Sequence, residues 1–285
     1  MKQEQTVIIS NSQRVNTIKE RIKKGGSIRL HVLTDFDRTL TTAFVDGKSV
    51  PSLISLLRDG NYLTPDYAKK AHALFNKYHP IEIDMAISHK EKEWAMEQWW
   101  RTHLQLLIDS GFNRSDLEKV VTGGGVKLRE GFVSFVNILH AQNIPLVIMS
   151  SSGLGSESVA LYLKQAGLLY DNVYIICNEY EWDEVGRAVG VREPIIHLLN
   201  KYEIAIQDYP IFEIVKDRKN VILLGDSIDD IGMVKGFAYE NLLSVGFLND
   251  TTNECLAYYT DVFDVVLTGD TSFDFPNQLL EEIII

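Results

Sequence analysis

Apolar positions along the chain change their spacing twice, and each change marks a boundary. Val15, Ile18 and Ile22 recur at near-helical spacing through Ser12–Lys24, and Gly25-Gly26 stops the run. The stretch from about Ile28 to Thr34 is apolar without alternation, as expected of a central parallel strand covered on both faces. From Asp46 to about Gly124, helix-like runs follow one another at Ser52–Leu57, Pro65–Lys77, Ser88–Ile108 and Ser115–Val121, with no strand-like segment between them. After Gly123-Gly124-Gly125 the two periods alternate. A helix over Glu130–Gln142 leads to strand Pro145–Met149, helix Glu157–Ala166 and strand Asn172–Cys177. Helix Pro194–Tyr202 and strands Asn220–Leu224 and Leu242–Phe247 follow. Helix Asn253–Tyr259, strand Val262–Leu267 and helix Phe273–Ile284 close the chain. Strands alternating with helices predict an α/β fold with a doubly wound parallel sheet. The expected organisation is a core from residues 1–45 and 125–285, with a helical cap of residues 46–124 inserted after the first strand.

Composition narrows the partners rather than the fold. A length of 285 residues suits one large domain or a domain with an insert. The net charge of −11 argues against a nucleic-acid polymer or an anionic membrane as partner. No stretch approaches the ~18 apolar residues of a membrane span, and the N-terminal segment lacks the apolar centre of a signal peptide. Cys177 and Cys255 cannot build a disulfide framework and read as buried thiols of a reducing, cytoplasmic compartment.

The chemistry concentrates where apolar runs end. His31–Phe44 reads HVLTDFDRTLTTAF, so the first strand stops in Asp35 and Asp37 with Thr39 and Thr41 behind them. Alone, such a pair reads equally well as a strand stop with solvated carboxylates. Past a strand end, however, both can converge on one point at the edge where open α/β sheets bind ligands. Ser150, Ser151 and Ser152, followed by Gly153-Leu154-Gly155, come straight after the apolar run to Met149 and offer hydroxyls and amides to an anion. Turns use the same residues, so this loop is weak evidence alone. Lys201 closes the Pro194–Tyr202 helix, where a solvated charge would be unremarkable. Leu223-Leu224-Gly225 then runs into Asp226, Asp229 and Asp230. Gathering Asp35, Asp37, Asp226 and Asp230 at one edge would cost on the order of several kcal/mol unless a cation sits among them, and an all-oxygen set suits Mg²⁺. A carboxylate nucleophile, a second carboxylate for proton transfer and donors for phosphoryl oxygens together fit phosphoryl transfer.

In this order, DFDRTLT, the SSSG loop, a lysine and GDSIDD resemble the haloacid dehalogenase superfamily of phosphohydrolases. Longer strings are similar to the cytosolic pyrimidine 5′-nucleotidases of the nucleotidase III type: KYHPIEID at Lys77–Asp84, IIHLLNK at Ile195–Lys201, NVILLGDSIDD at Asn220–Asp230 and VGFLND at Val245–Asp250. The resemblance covers the chain from about Leu30 to its end. It implies that Asp35 is the nucleophile and a Mg²⁺ ligand, and that Asp37 is the acid/base, with its backbone carbonyl on the metal. It further implies that Lys201 bridges nucleophile and phosphate, that Asp226 ligates the metal and that Asp230 supports it. The family has one serine before its G-x-G and this loop has one residue more, so either Ser150 or Ser151 aligns with the phosphate donor, Ser151 being slightly favoured. In the cap, Glu82 matches the glutamate that reads the base, and Trp99 and Trp100 fall where the family has aromatics. Trp94, Trp99 and Trp100 also stand at helical spacing, where core packing is the commoner use. The family's stacking aromatic aligns near Ala43 or Phe44. The implied reaction is hydrolysis of nucleoside 5′-monophosphates, pyrimidine ones preferred. A capped phosphatase or phosphotransferase for another phosphomonoester, and a catalytically silent nucleotide-binding protein, are the competing readings.

Overall fold

The computed structural model describes residues 6–84, 86–201, 209–236, 238–250 and 253–284. β1 (Thr6–Ile9), α1 (Ser12–Gly25) and β2 (Leu30–Thr34) open the chain. The two-residue strands β3 (Phe44–Val45) and β4 (Lys48–Ser49) form a small antiparallel ribbon. Helices α2 (Leu53–Asp59), α3 (Tyr67–Ile83), α4 (His89–Asp109) and α5 (Arg114–Thr122) fill the middle of the chain. The alternating part runs through α6 (Phe132–Ala141), β5 (Leu146–Met149), α7 (Ser156–Gln165) and β6 (Val173–Ile176). Then come β7 (Tyr180–Trp182), β8 (Ala188–Val191), α8 (Ile211–Val215) and β9 (Asn220–Gly225). β10 (Asn241–Leu248), α9 (Asn253–Val262), β11 (Val265–Thr268) and α10 (Asp274–Ile284) complete it.

The central sheet has seven strands in the order β1-β11-β10-β9-β2-β5-β6, parallel except for β1, which runs antiparallel to β11. Strand side chains alternate between two apolar layers. Leu30 and Val32 of β2, Leu146 and Ile148 of β5, and Ile222 and Leu224 of β9 join α1, α6, α7 and α10. Leu33, Val147, Met149, Val221 and Leu223 face the opposite layer with α8 and α9. Burial on both faces explains the unbroken apolar runs, each such side chain contributing ~1.5–3 kcal/mol. The mostly parallel α/β fold expected from the pattern is the fold observed.

Several elements differ from the pattern-based expectation. β1 escapes notice because Thr6–Ile9 is short; its pairing partner β11 lies about 260 residues away in the sequence. The β7–β8 hairpin and the β3–β4 ribbon are likewise unannounced. The expected helix Pro194–Tyr202 is an extended segment ending in a single 3-10 turn, Leu198–Asn200; Tyr202 lies outside the described residues. Its backbone is held by side chains instead of a helical ladder. The Asn178 amide pairs with both N and O of Ile196 at 2.8 and 2.9 Å, and Asn200 takes the His197 amide and the Ile195 carbonyl at 2.8 Å each. The strand expected from Val262 begins at Val265, because α9 continues through Val262. Cys177 is buried as expected, but Cys255 is exposed, since it lies on the outer side of α9. Among the described residues, no helix is long and apolar enough to cross a membrane.

Candidate active site

The site is built where three neighbouring strands stop. Thr34 is in register with Leu224 of β9 and with Ile148 of β5, and the Asp35 amide extends the β2–β9 pairing by donating to the Leu224 carbonyl at 3.1 Å. Asp35, the serine loop after β5 and Asp226 after β9 therefore stand in one row along the C-terminal edge of the sheet.

Behind Asp226 the chain turns back sharply. A Cβ on Gly225 would lie 2.5 Å from that of Asp230, so this position tolerates only glycine. The close approach lets one Asp230 oxygen accept from the amides of Asp226 and Ser227 at 3.1 and 3.0 Å. The other accepts from the Lys201 ammonium at 3.0 Å, and Lys201 also donates to Asp35. Thr39 donates its hydroxyl to Asp226 at 3.3 Å, and Tyr259 donates to the Asp226 carbonyl. One oxygen each from Asp35, Asp226 and Asp230 lies within 4.8 Å of the others. The Asp37 side chain is not part of this trio; it points into the adjoining cleft.

Were all three carboxylates ionised, the one ammonium would leave two negative charges uncompensated in a buried place. Burial, reinforced by the Asp230 and Asp226 charges and opposed by Lys201, raises Asp35 well above the usual carboxylate range. Burial and Asp230 push Asp226 up to about 7. Burial pushes Asp37 up to about 6 against the pull of Lys201 and Arg38. For Lys201, burial favours the neutral amine, but the attraction of Asp230 and Asp35 outweighs it and holds the ammonium charged. Such a site is electrostatically unbalanced in the sense that a bound cation corrects.

The three serines are not equivalent. The Ser150 hydroxyl accepts from the Ser152 amide at 3.1 Å, and the Ser152 hydroxyl accepts from the Leu154 amide at 3.3 Å and faces Ser158. Ser151 is half-buried, and among the described residues its hydroxyl has no hydrogen-bond partner. It is the hydroxyl still available to an anion.

A cavity of about 520 Å³ runs from Asp37, Arg38 and Thr41 to Phe75, His79 and Glu82 on α3. Glu82 is one of its lining residues, and its carboxylate is bonded to His79 Nδ1 at 3.0 Å. His79 stacks on Phe75 with ring centres 4.6 Å apart, and the Arg58 guanidinium lies 5.2 Å over the other ring partner's centre, that of Phe75. Trp99, Trp100 and Phe44 are not among its lining residues. Trp99 stacks on Tyr78 at 5.9 Å, and Trp100 packs so closely on Gly153 that a Cβ there would come within 3.2 Å of it. Trp94, at 67% exposure, is neither core nor cleft. Phe75, His79 and Arg58 are among the cleft residues that sequence reading missed. The only available signal was that Phe75, His79 and Glu82 share a helical face.

A buried arginine, also missed, underlies the loop that follows Asp37. Arg129 donates to the carbonyls of Thr39 at 2.8 Å, of Thr271 at 2.7 Å and of Arg38, and to the side chains of Asp270 and Asn249. Asp270 in turn accepts from the amides of Ala43 and Phe44 at 2.9 Å each.

Residues 38–284 match the family described as pyrimidine 5′-nucleotidase (UMPH-1). The chain is 35% identical over 280 residues to the 7-methylguanosine phosphate-specific 5′-nucleotidase of Homo sapiens, covering 98% of this chain and 93% of that protein. Its fold is similar to the crystal structure of cytosolic 5′-nucleotidase IIIB bound to cytidine, with a TM-score of 0.88, 29% identity and coverage of 97% and 93%. A phosphoserine phosphatase captured as a phospho-aspartyl intermediate analogue shares the core fold at a TM-score of 0.50 and 17% identity.

Proposed function

We propose, since the chain belongs to the UMPH-1 pyrimidine 5′-nucleotidase family and is a 5′-nucleotidase, that it hydrolyses nucleoside 5′-monophosphates through an aspartyl-phosphate, an acyl phosphate formed on Asp35. The observation that carries this reading is the junction of the Lys201-bridged carboxylates Asp35, Asp226 and Asp230 with a cleft that leads from Asp37 to Glu82. Asp35, Asp226 and Asp230 would hold Mg²⁺ through side-chain oxygens and Asp37 through its backbone carbonyl. The fit rests on an all-oxygen donor set and two unbalanced negative charges. When bound, the cation neutralises phosphoryl oxygens and keeps the carboxylates ionised.

The protein's own groups divide the rest of the work. An Asp35 oxygen attacks phosphorus while the bond to the nucleoside 5′ oxygen breaks, and Asp37 gives that oxygen its proton. The Asp37 carboxylate then takes a proton from the water that attacks the phosphoryl group, which frees Asp35 and releases phosphate. Burial, by lifting Asp37 to about 6, suits it to both halves of the exchange. Ser151 and Lys201 hold phosphoryl oxygens, with Ser150 and Ser152 shaping the loop that presents Ser151.

The helical segment 46–124 acts as a cap over a core of residues 1–45 and 125–285, excluding water from the cleft. Glu82, oriented by His79, accepts from an exocyclic amine or ring N–H of the base. Pyrimidine and 7-methylguanine bases both carry such a donor, so monophosphates of both classes are the proposed substrates. The relatives named above support this breadth, and the cytosolic nucleotidase supports a cytoplasmic location. The test is kcat/KM for UMP, CMP, AMP, GMP, 7-methyl-GMP, a sugar phosphate and phosphoserine, with and without Mg²⁺, for the parent and for Asp35→Asn. Mg²⁺-dependent release of phosphate that vanishes in D35N is expected. Substantial D35N turnover would remove the nucleophile assignment, and sugar phosphates or phosphoserine outranking every nucleotide would overturn the substrate class.

A further inference from the structure

The loop from Asp37 to Phe44 carries the acid/base carboxylate at its start, yet β3 at its far end is only two residues long. It must therefore be fixed from outside. The fastening consists of two residues far apart in the sequence, with complementary chemistry. Arg129, whose side chain is fully buried, takes the carbonyls of Arg38 and Thr39. Asp270 takes the amides of Ala43 and Phe44 and is paired with Arg129 at 2.8 Å. Asn249 completes the set, accepting from Arg129 and donating to the Arg38 carbonyl at 3.1 Å. Two backbone bonds reinforce it, from the Arg129 amide to Leu40 and from the Thr42 amide to Lys127, at 2.9 Å each. Arg38 adopts φ 58°, a left-handed conformation that a residue with a side chain holds only when its surroundings impose it.

What this fastening sets is the direction of two groups that face the reaction. Arg38 directly follows Asp37, and its carbonyl, held by Arg129 and Asn249, fixes the Arg38–Thr39 peptide plane. Its amide, donating to the Thr41 hydroxyl of the same fastened loop at 2.9 Å, fixes the Asp37–Arg38 plane beside the Cα from which the Asp37 side chain departs. Thr39, also fixed at its carbonyl, directs its hydroxyl to Asp226. The guanidinium suits this task because its rigid fork can reach five acceptors at once, whereas an ammonium offers three donors from one point.

We propose that Arg129, Asp270 and Asn249 form a latch that positions Asp37 and Thr39 for phosphoryl transfer, making them positioning residues for the reaction rather than elements of general stability. The inference rests on the phosphohydrolase reading above, and the parent's activity tests that reading separately. The experiment compares Arg129→Lys, Asp270→Asn and the double variant with the parent in Mg²⁺, measuring kcat, KM and melting temperature. A parent that releases no phosphate from any nucleotide would overturn the functional reading and, with it, the latch. With an active parent, R129K should lower kcat by about 100-fold, the scale of a misplacement of ~1 Å, with KM changing less than about threefold. D270N should lower kcat by about tenfold or more, and the double variant should lose little beyond R129K, because the two act as one unit. A folded R129K with kcat within threefold of the parent, a loss confined to KM, or strictly additive losses would overturn the proposal. Should R129K fail to fold, D270N and Asn249→Ala carry the same expectation for kcat. Unchanged kcat in both, or loss of folding in all three, would make the cluster a stability element and overturn the latch.

Discussion

Glu82 and Ser151 show how a residue's role depends on what its neighbours have already taken. All three serines share one loop, and only the hydrogen bonds separate them: Ser150 and Ser152 already accept from backbone amides. That distinction was invisible in the sequence, where counting from either side of the loop selected different residues. Glu82 was legible from its string, but its partner His79 and the aromatic Phe75 beneath it were not. If Glu82 reads the base, its effect must depend on the substrate having one. Glu82→Gln should lower kcat/KM for CMP by more than about tenfold, since an amide presents the wrong pattern to an amine donor, while leaving hydrolysis of a small base-free phosphate ester within about twofold. Steady-state kinetics on the two substrates checks this, and an equal loss on both would show that Glu82 supports the cleft rather than the base. The carboxylates at the strand ends were readable for the opposite reason. Asp35, Asp37, Asp226 and Asp230 lie next to apolar runs that fix where they stand, so local pattern carries their position. Arg129 was unreadable because its acceptors lie 90 to 142 residues away along the chain.

The segment from Glu193 to Lys201 shows the same limit for a whole element. Its apolar spacing mimics a helix, but side-chain amides of Asn178 and Asn200 have captured its backbone, leaving one 3-10 turn. The apolar residues then serve another purpose. Leu199 packs with Tyr78 of α3 and with Ala95 and Met96 of α4, two positions before the lysine that bridges Asp35 and Asp230. Arg101 of α4 pairs with Glu193 at the start of the same segment. The lysine's position is thus set by the helices that also carry Glu82, a link that helix-or-strand reading of the sequence could not reveal. Leu199→Ala should cost about 2–5 kcal/mol of stability, the range for a buried leucine, measured by urea unfolding. It should also reduce kcat by more than the shift in KM, because Leu199 anchors the turn that Lys201 directly follows. A destabilised variant with full kcat at low temperature would show that the turn holds Lys201 without the packing.

Over the whole molecule, pH acts on buried groups of opposite sense, so a single pH–stability curve does not assign either set. Carboxylates raised by burial, such as Asp37 and Asp226, take up protons more readily folded than unfolded and favour the fold as pH falls. His31, His103 and His197 do the reverse, since burial lowers each to about 4. A histidine whose folded value lies near 4 and whose unfolded value is about 6.5 contributes stability that is fully present above 6.5 and is lost as pH falls through the window to 4. His103 is the cleanest reporter because it sits away from the carboxylates, bonded to the Tyr67 hydroxyl at 3.1 Å, with Arg58 as the nearby charge that adds to the burial effect. In the difference between the parent and His103→Gln, the contributions of every other titrating group cancel. Within that difference, the parent's advantage should shrink by about 1.4 kcal/mol for each pH unit between 6.5 and 4, or about 3 kcal/mol over the window. Urea unfolding of both proteins at pH 7.5, 6, 5 and 4.5 measures it. A difference that stays constant with pH would mean that His103 takes up its proton as readily in the fold as in the unfolded chain. The tyrosine contact would then be a charged hydrogen bond rather than a neutral one.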